Sequence, residues 1–134
     1  MRNISKTRQR EERAMKPLHD TFRIEFPRCW ICNQVADDGI HEITSGGGRR
    51  RGRQHRATWV RTCRLCHDGL QDHQRWPIAR QLALKALRDP AHYDRVLVNQ
   101  IRGRDDDAID ELDVWKELPA VLAQVRVTRY GGMR

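Results

Sequence analysis

The sequence predicts a small α+β protein built on a cysteine staple, and three observations carry that prediction. All four cysteines fall in two Cys-x-x-Cys pairs, Cys29/Cys32 and Cys63/Cys66, with thirty residues between them. Short stretches with β-type alternation lie between the pairs. After Pro77, apolar residues recur at helical spacing instead.

Two residues between thiols let one tight turn aim both sulfurs at a single point. Two such turns brought together make the tetrahedral thiolate cage that Zn²⁺ prefers, so Cys29, Cys32, Cys63 and Cys66 are read as one closed structural zinc site. The alternatives are two disulfides, which an oxidising compartment would favour, or four unrelated buried thiols. Met1-Arg2-Asn3-Ile4-Ser5 leads into charge rather than an apolar leader, so a reducing, cytoplasmic setting is expected. With all four positions taken by sulfur, this metal has no place for water or substrate. Any chemistry must lie beside it.

The chain has 134 residues, enough for one domain, and an apolar fraction of 38% gives it a small core that a metal staple would reinforce. With 26 Lys+Arg against 18 Asp+Glu the formal charge is +8, which favours a polyanionic partner, nucleic acid first. No apolar run is long enough for a membrane span, and no internal repeat is present.

In order, residues 1–21 read as a basic arm or a solvated helix ended near Pro17. Residues 22–76 read as the zinc-bound core, 77–125 as a helical extension and 126–134 as a basic tail. Thr21-Phe22-Arg23-Ile24-Glu25-Phe26 alternates and suits a short strand or an extended lead-in that packs Phe22, Ile24 and Phe26 beside the first cysteine pair. A turn at Asp38-Gly39 precedes a strand through Ile40 and Ile43, and Thr58-Trp59-Val60 reads as its partner. Between those strands run Gly46-Gly47-Gly48 and then Arg49, Arg50, Arg51, Arg53, Arg56, Arg61 and Arg64, with no acidic residue between Glu42 and Asp68. So much like charge calls for an anion, and the planar guanidinium fork suits phosphate oxygens; Arg49, Arg50, Arg51, Arg53, Arg56 and Arg61 are therefore the candidate phosphate contacts.

A helix is expected to open at Cys66-His67 and a second after Pro77, with Ile78, Ala79, Leu82, Ala83, Ala86 and Leu87 inward. Asp89-Pro90 starts a third, presenting Tyr93, Val96, Leu97 and Ile101 until Gly103 stops it. Arg104 to Asp107 form a turn. Ile109, Leu112 and Trp115, with Val114 as a further candidate, mark a last helix, broken or restarted at Pro119 before Val121, Leu122 and Val125.

If the cysteine pairs close on one ion, His41-Glu42 on the strand and His67 after the last cysteine are drawn together. Two imidazoles and a carboxylate beside a cationic loop could hold a second, open metal and act on a phosphodiester.

This order of residues resembles the HNH endonuclease family, in particular its zinc-ribbon-bearing members common in phages. The resemblance rests on Cys29-x-x-Cys32, His41-Glu42-Ile43, Gly46-Gly47-Gly48, Thr58-Trp59 and Cys63-Arg64-Leu65-Cys66-His67, and covers about residues 29 to 73. It implies a ββα-metal core and a metal-dependent endonuclease acting on double-stranded DNA. His41 and His67 would be ligands of a catalytic divalent cation such as Mg²⁺ or Mn²⁺. Glu42 takes the position of the family's histidine base, and Thr58 that of its asparagine. A protein partner in a phage DNA-processing complex is a further implication. The alternative is a catalytically degenerate, zinc-stabilised nucleic-acid-binding or recombination accessory protein, which would bind DNA without cutting it.

Overall fold

The computed structural model describes residues 5–44, 52–103 and 108–125. The glycine-rich loop with Arg49, Arg50 and Arg51, the turn at 104–107 and the basic tail lie outside the described residues. Among those described are five α-helices and one two-stranded antiparallel sheet. The helices are α1 (Lys6–Glu25), α2 (Arg64–Gln71), α3 (Ile78–Arg88), α4 (Arg95–Arg102) and α5 (Glu111–Gln124). The strands are β1 (Ile40–Glu42) and β2 (Trp59–Arg61), paired Ile40 to Arg61, His41 to Val60 and Glu42 to Trp59.

The strand expected over Thr21–Phe26 is the last turn and a half of α1. Phe22 and Phe26 lie four residues apart, on one helical face, and their rings meet at 5.4 Å; Phe22 is fully buried, while Ile24 is 79% exposed on the opposite side. Nor does Pro17 end the helix. Proline removes one N–H, and its turn is braced from the other side where Thr21 Oγ1 donates to the Pro17 carbonyl at 2.9 Å. Ser5 caps the start by accepting the Arg8 N–H.

Phe22 is the anchor of α1. Its ring meets Trp30 at 5.7 Å and Trp59 at 5.5 Å, both edge-on, so one side chain ties helix, first cysteine turn and sheet together. Ile43, Val60, Leu70, Leu82, Leu84, Val98, Val114 and Val121 complete a single buried cluster, and α3 packs most extensively against α5. Expectations for the later helices are corrected in detail. Val96, Leu112 and Trp115 face solvent whereas Val98 and Val114 are buried, and Pro119 lies within α5 without interrupting it. Asp94, not Asp89, caps α4, its carboxylate accepting the Leu97 N–H; Pro90–His92 forms a separate 3-10 turn. Gly103, at φ 67°, ends α4 in the left-handed conformation expected of a glycine stop.

One backbone approach leaves no alternative residue. A Cβ on Gly39 would lie 2.1 Å from the Thr62 carbonyl oxygen, so only glycine lets the lead-in to β1 pass the end of β2.

No helix among the described residues is long and apolar enough to cross a membrane.

Candidate metal centre and the histidine pair

Each cysteine pair is positioned by its own turn. In the first, Asn33 takes φ 64°, a conformation asparagine tolerates, and its N–H returns to the Cys29 carbonyl at 3.1 Å. The Cys29 N–H reaches Gln34 O at 2.8 Å, and the Ile31 N–H points at Cys29 Sγ at 3.4 Å. In the second, Cys63 is the N-cap of α2: its sulfur accepts the Cys66 N–H at 3.5 Å, as a capping hydroxyl would. Strand β2 joins the turns, since the Trp30 N–H donates to the Arg61 carbonyl at 2.9 Å.

The four sulfurs lie within 4.8 Å of one another, and Cys32 Sγ to Cys63 Sγ is 3.6 Å. A disulfide needs about 2.05 Å. A tetrahedral zinc with Zn–S bonds of about 2.3 Å puts its sulfurs about 3.8 Å apart. All four cysteines are free thiols, one pair at the second spacing and all within 4.8 Å, so the cluster can hold a structural metal such as zinc. Burial raises the thiol pKa of Cys66 and of Cys32. Cys63 is half-buried, and although desolvation pushes its thiol up, the Cys66 N–H and the neighbouring thiols hold it below its ordinary value. Four crowded sulfurs resist becoming anions together, and a divalent cation removes that resistance.

His41 and His67 are brought together as the spacing led us to expect. Their ring centroids are 5.2 Å apart, edge to face. His41 is buried on β1, 5% exposed, and His67 stands on the first turn of α2. Desolvation, with smaller contributions from the His67 and His73 charges, drives the His41 pKa down to about 4, so its ring is neutral at physiological pH. A neutral imidazole is the form a metal ligand needs.

Glu42 does not join them. Neighbouring residues on a strand point to opposite faces, and Glu42 lines a groove of about 520 Å³ with Glu12, Lys16, His19, Arg23 and Arg53, between α1 and β1. Its carboxylate lies 3.7 Å from Arg53 Nε. Apart from the four cysteines, no three His, Cys, Asp or Glu side chains among the described residues converge on a common point.

The expected phosphate contacts fare unevenly. Arg61 is 3% exposed and folds inward: its Nε donates to Phe26 O and its Nη atoms to the carbonyls of Ala36, Asp37 and Gly39. It is a brace for the chain between the first cysteine turn and β1, with four of its five N–H donors on backbone carbonyls and the whole group buried away from any phosphate. Arg56 forks onto both Glu25 oxygens at 3.0 and 2.8 Å and reaches Asp89 at 3.1 Å. Arg53 pairs with Glu12 at 3.2 Å. Thr58 also has a structural task, its hydroxyl lying 2.6 Å from Gly52 O, where the Trp59 indole N–H also donates.

Two buried polar residues escaped the sequence reading. Gln81 and Lys85 are fully buried on α3. Lys85 Nζ donates to the carbonyls of Arg56 and Trp59 and to Asp89. Gln81 Oε1 lies 2.7 Å from His41 Nε2. The available signal was their phase: positions 78, 81, 82 and 85 share one helical face, and two of the four are polar.

Compared with protein-family models, curated proteins and solved structures, the chain matches none, and the chemistry of the site rests on its own residues.

Proposed function

We propose that the chain is a metal-dependent endonuclease that hydrolyses DNA phosphodiester bonds, of the HNH type, on a zinc-stapled ββα core. The observation that carries this reading is the 5.2 Å approach of His41 and His67 beside the four-cysteine cluster. Zinc would occupy the four sulfurs and only hold the turns. His41 and His67 would hold a second divalent cation, which when bound polarises a phosphoryl oxygen and stabilises the leaving oxygen. A pair of neutral imidazoles favours Mn²⁺ or a later transition ion over Mg²⁺, which prefers oxygen donors. The remaining positions round that ion would be left to water and the phosphate itself.

The chain's own residues have separable tasks in this reading. The α2 N-terminal turn presents His67, β1 presents His41, and exposed Lys6, Arg10 and Arg13 on α1 join Arg49, Arg50 and Arg51 in gripping the backbone of double-stranded DNA. Contacts of that kind read phosphate and groove shape, giving steep salt dependence and weak sequence preference.

The position of Glu42 favours a second reading, a zinc-stabilised nucleic-acid-binding or recombination accessory protein without cleavage. A carboxylate on the far face of the strand cannot take a proton from water held between the two rings. Plasmid nicking decides between the readings. Supercoiled plasmid should be relaxed with Mn²⁺ and left intact with EDTA, and His67→Ala should abolish nicking while retaining DNA affinity. Tight DNA binding with no cleavage under any divalent ion overturns the nuclease and leaves the accessory protein.

A further inference from the structure

Gln81 is fully buried, and every hydrogen-bonding group of its amide is engaged. Its Nε2 donates to Leu70 O at 3.0 Å and to Trp76 O at 2.8 Å. Two carbonyls accept and cannot donate, so the amide nitrogen must face them and the amide oxygen must face away. The oxygen lies 2.7 Å from His41 Nε2. An amide oxygen only accepts, so His41 Nε2 must carry the proton.

A neutral imidazole has one proton. With it on Nε2, Nδ1 of His41 is the bare nitrogen, and among the described residues the ring's hydrogen bond is the one at Nε2. A buried ring with one nitrogen pinned to Gln81, standing 5.2 Å from the His67 ring, keeps the lone pair of its other nitrogen for a ligand.

We infer that Gln81 is a positioning residue that locks His41 in the Nε2–H tautomer and thereby makes Nδ1 the atom offered to a divalent cation. This rests on the reading of His41 and His67 as the cation-holding pair. The lock comes from α3, beyond the residues that resemble any nuclease motif, and couples the site to three elements at once: β1 through His41, α2 through Leu70 O and the α2–α3 turn through Trp76 O. Ring orientation and tautomer fixed by such a partner typically set metal affinity within a factor of ten to a hundred.

The test uses the full chain with its cysteine site loaded with zinc and ¹⁵N-labelled histidine. Long-range nitrogen–proton NMR spectra distinguish the two tautomers directly. At neutral pH, His41 should show a protonated Nε2 and a bare Nδ1, and added Mn²⁺ should broaden its ring signals together with those of His67. Gln81→Met removes the acceptor at similar size; it should give a mixed tautomer and weaken Mn²⁺ binding about tenfold or more. Gln81→Glu keeps an acceptor and should restore the Nε2–H form.

A wild-type His41 with its proton on Nδ1 overturns the inference, and this measurement stands even if Gln81→Met does not fold. An unchanged tautomer and Mn²⁺ affinity in folded Gln81→Met overturns it as well. If the Nε2–H tautomer is present but Mn²⁺ leaves His41 untouched, the cation-holding reading itself is what falls.

Discussion

Arg61 shows how a residue can be visible in a sequence and misassigned by it. A guanidinium among six other arginines looks like part of a phosphate clamp, yet it is buried and four of its five donors go to backbone carbonyls. Nothing in a charge run says which member turns inward. Replacing it by methionine should leave those carbonyls unpaired and cost about 3 kcal/mol or more, read as loss of the melting midpoint. Arg61→Lys should not rescue it, because an ammonium cannot reach all of those acceptors at once. His41 makes a residue-scale prediction about pH. Its folded-state pKa of about 4 lies below the unfolded value of 6.5, so the unfolded chain binds the proton more readily. The stabilisation is complete above pH 6.5 and is lost as pH falls toward 4, with a ceiling of about 3 kcal/mol. Stability of His41→Asn measured across that window should be flatter than that of the parent.

Among the elements, the cysteine turns, β1 and β2 were legible because each is declared by local chemistry: a fixed thiol spacing, a turn at Asp38-Gly39, and alternation around Ile40 and Trp59; α2 was expected from Cys66-His67 but opens at Arg64, because the Cys63 sulfur caps it. The C-terminal end of α1 was not. Phe22, Ile24 and Phe26 satisfy a strand pattern, while Phe22 and Phe26 alone satisfy a helical one, and the choice is made by where Trp30 and Trp59 wait for the Phe22 ring. The difference is testable at two positions that the strand pattern treats alike. Phe22→Ala should destabilise by about 3–5 kcal/mol, whereas Ile24→Ser, at an exposed helical site, should stay within about 0.5 kcal/mol in chemical denaturation. Equal losses at both would restore the strand. In the site itself, spacing was enough to place His41 beside His67. It could not place Glu42, because the facing of one strand residue follows from pairing and burial rather than from order along the chain.

At the scale of the molecule, the four sulfurs meet where two turns that the sequence keeps thirty residues apart come together, with a single backbone bond from Trp30 to Arg61 beside them. Two strands of three residues each are too short to hold themselves. Metal analysis should find one tightly held ion per chain in the cysteine cluster. Stripping it with a strong chelator should lower the melting midpoint by about 10 °C or more, and Cys63→Ser should do the same without chelator. A chain that melts unchanged after chelation would show that the hydrophobic cluster suffices alone.

Helix α3 sends Gln81 to the strand histidine, Lys85 to the carbonyls flanking β2, and Arg88 to the Trp30 carbonyl within the first cysteine turn at 3.1 Å. It therefore plays the part of a keel rather than of cargo. A peptide excised at Trp76 keeps every residue of the ribbon-like signature but loses what those residues lean on. Such a transplant should yield poorly dispersed amide spectra even with zinc supplied, and any minimal version of this protein has to begin its cut beyond Arg88.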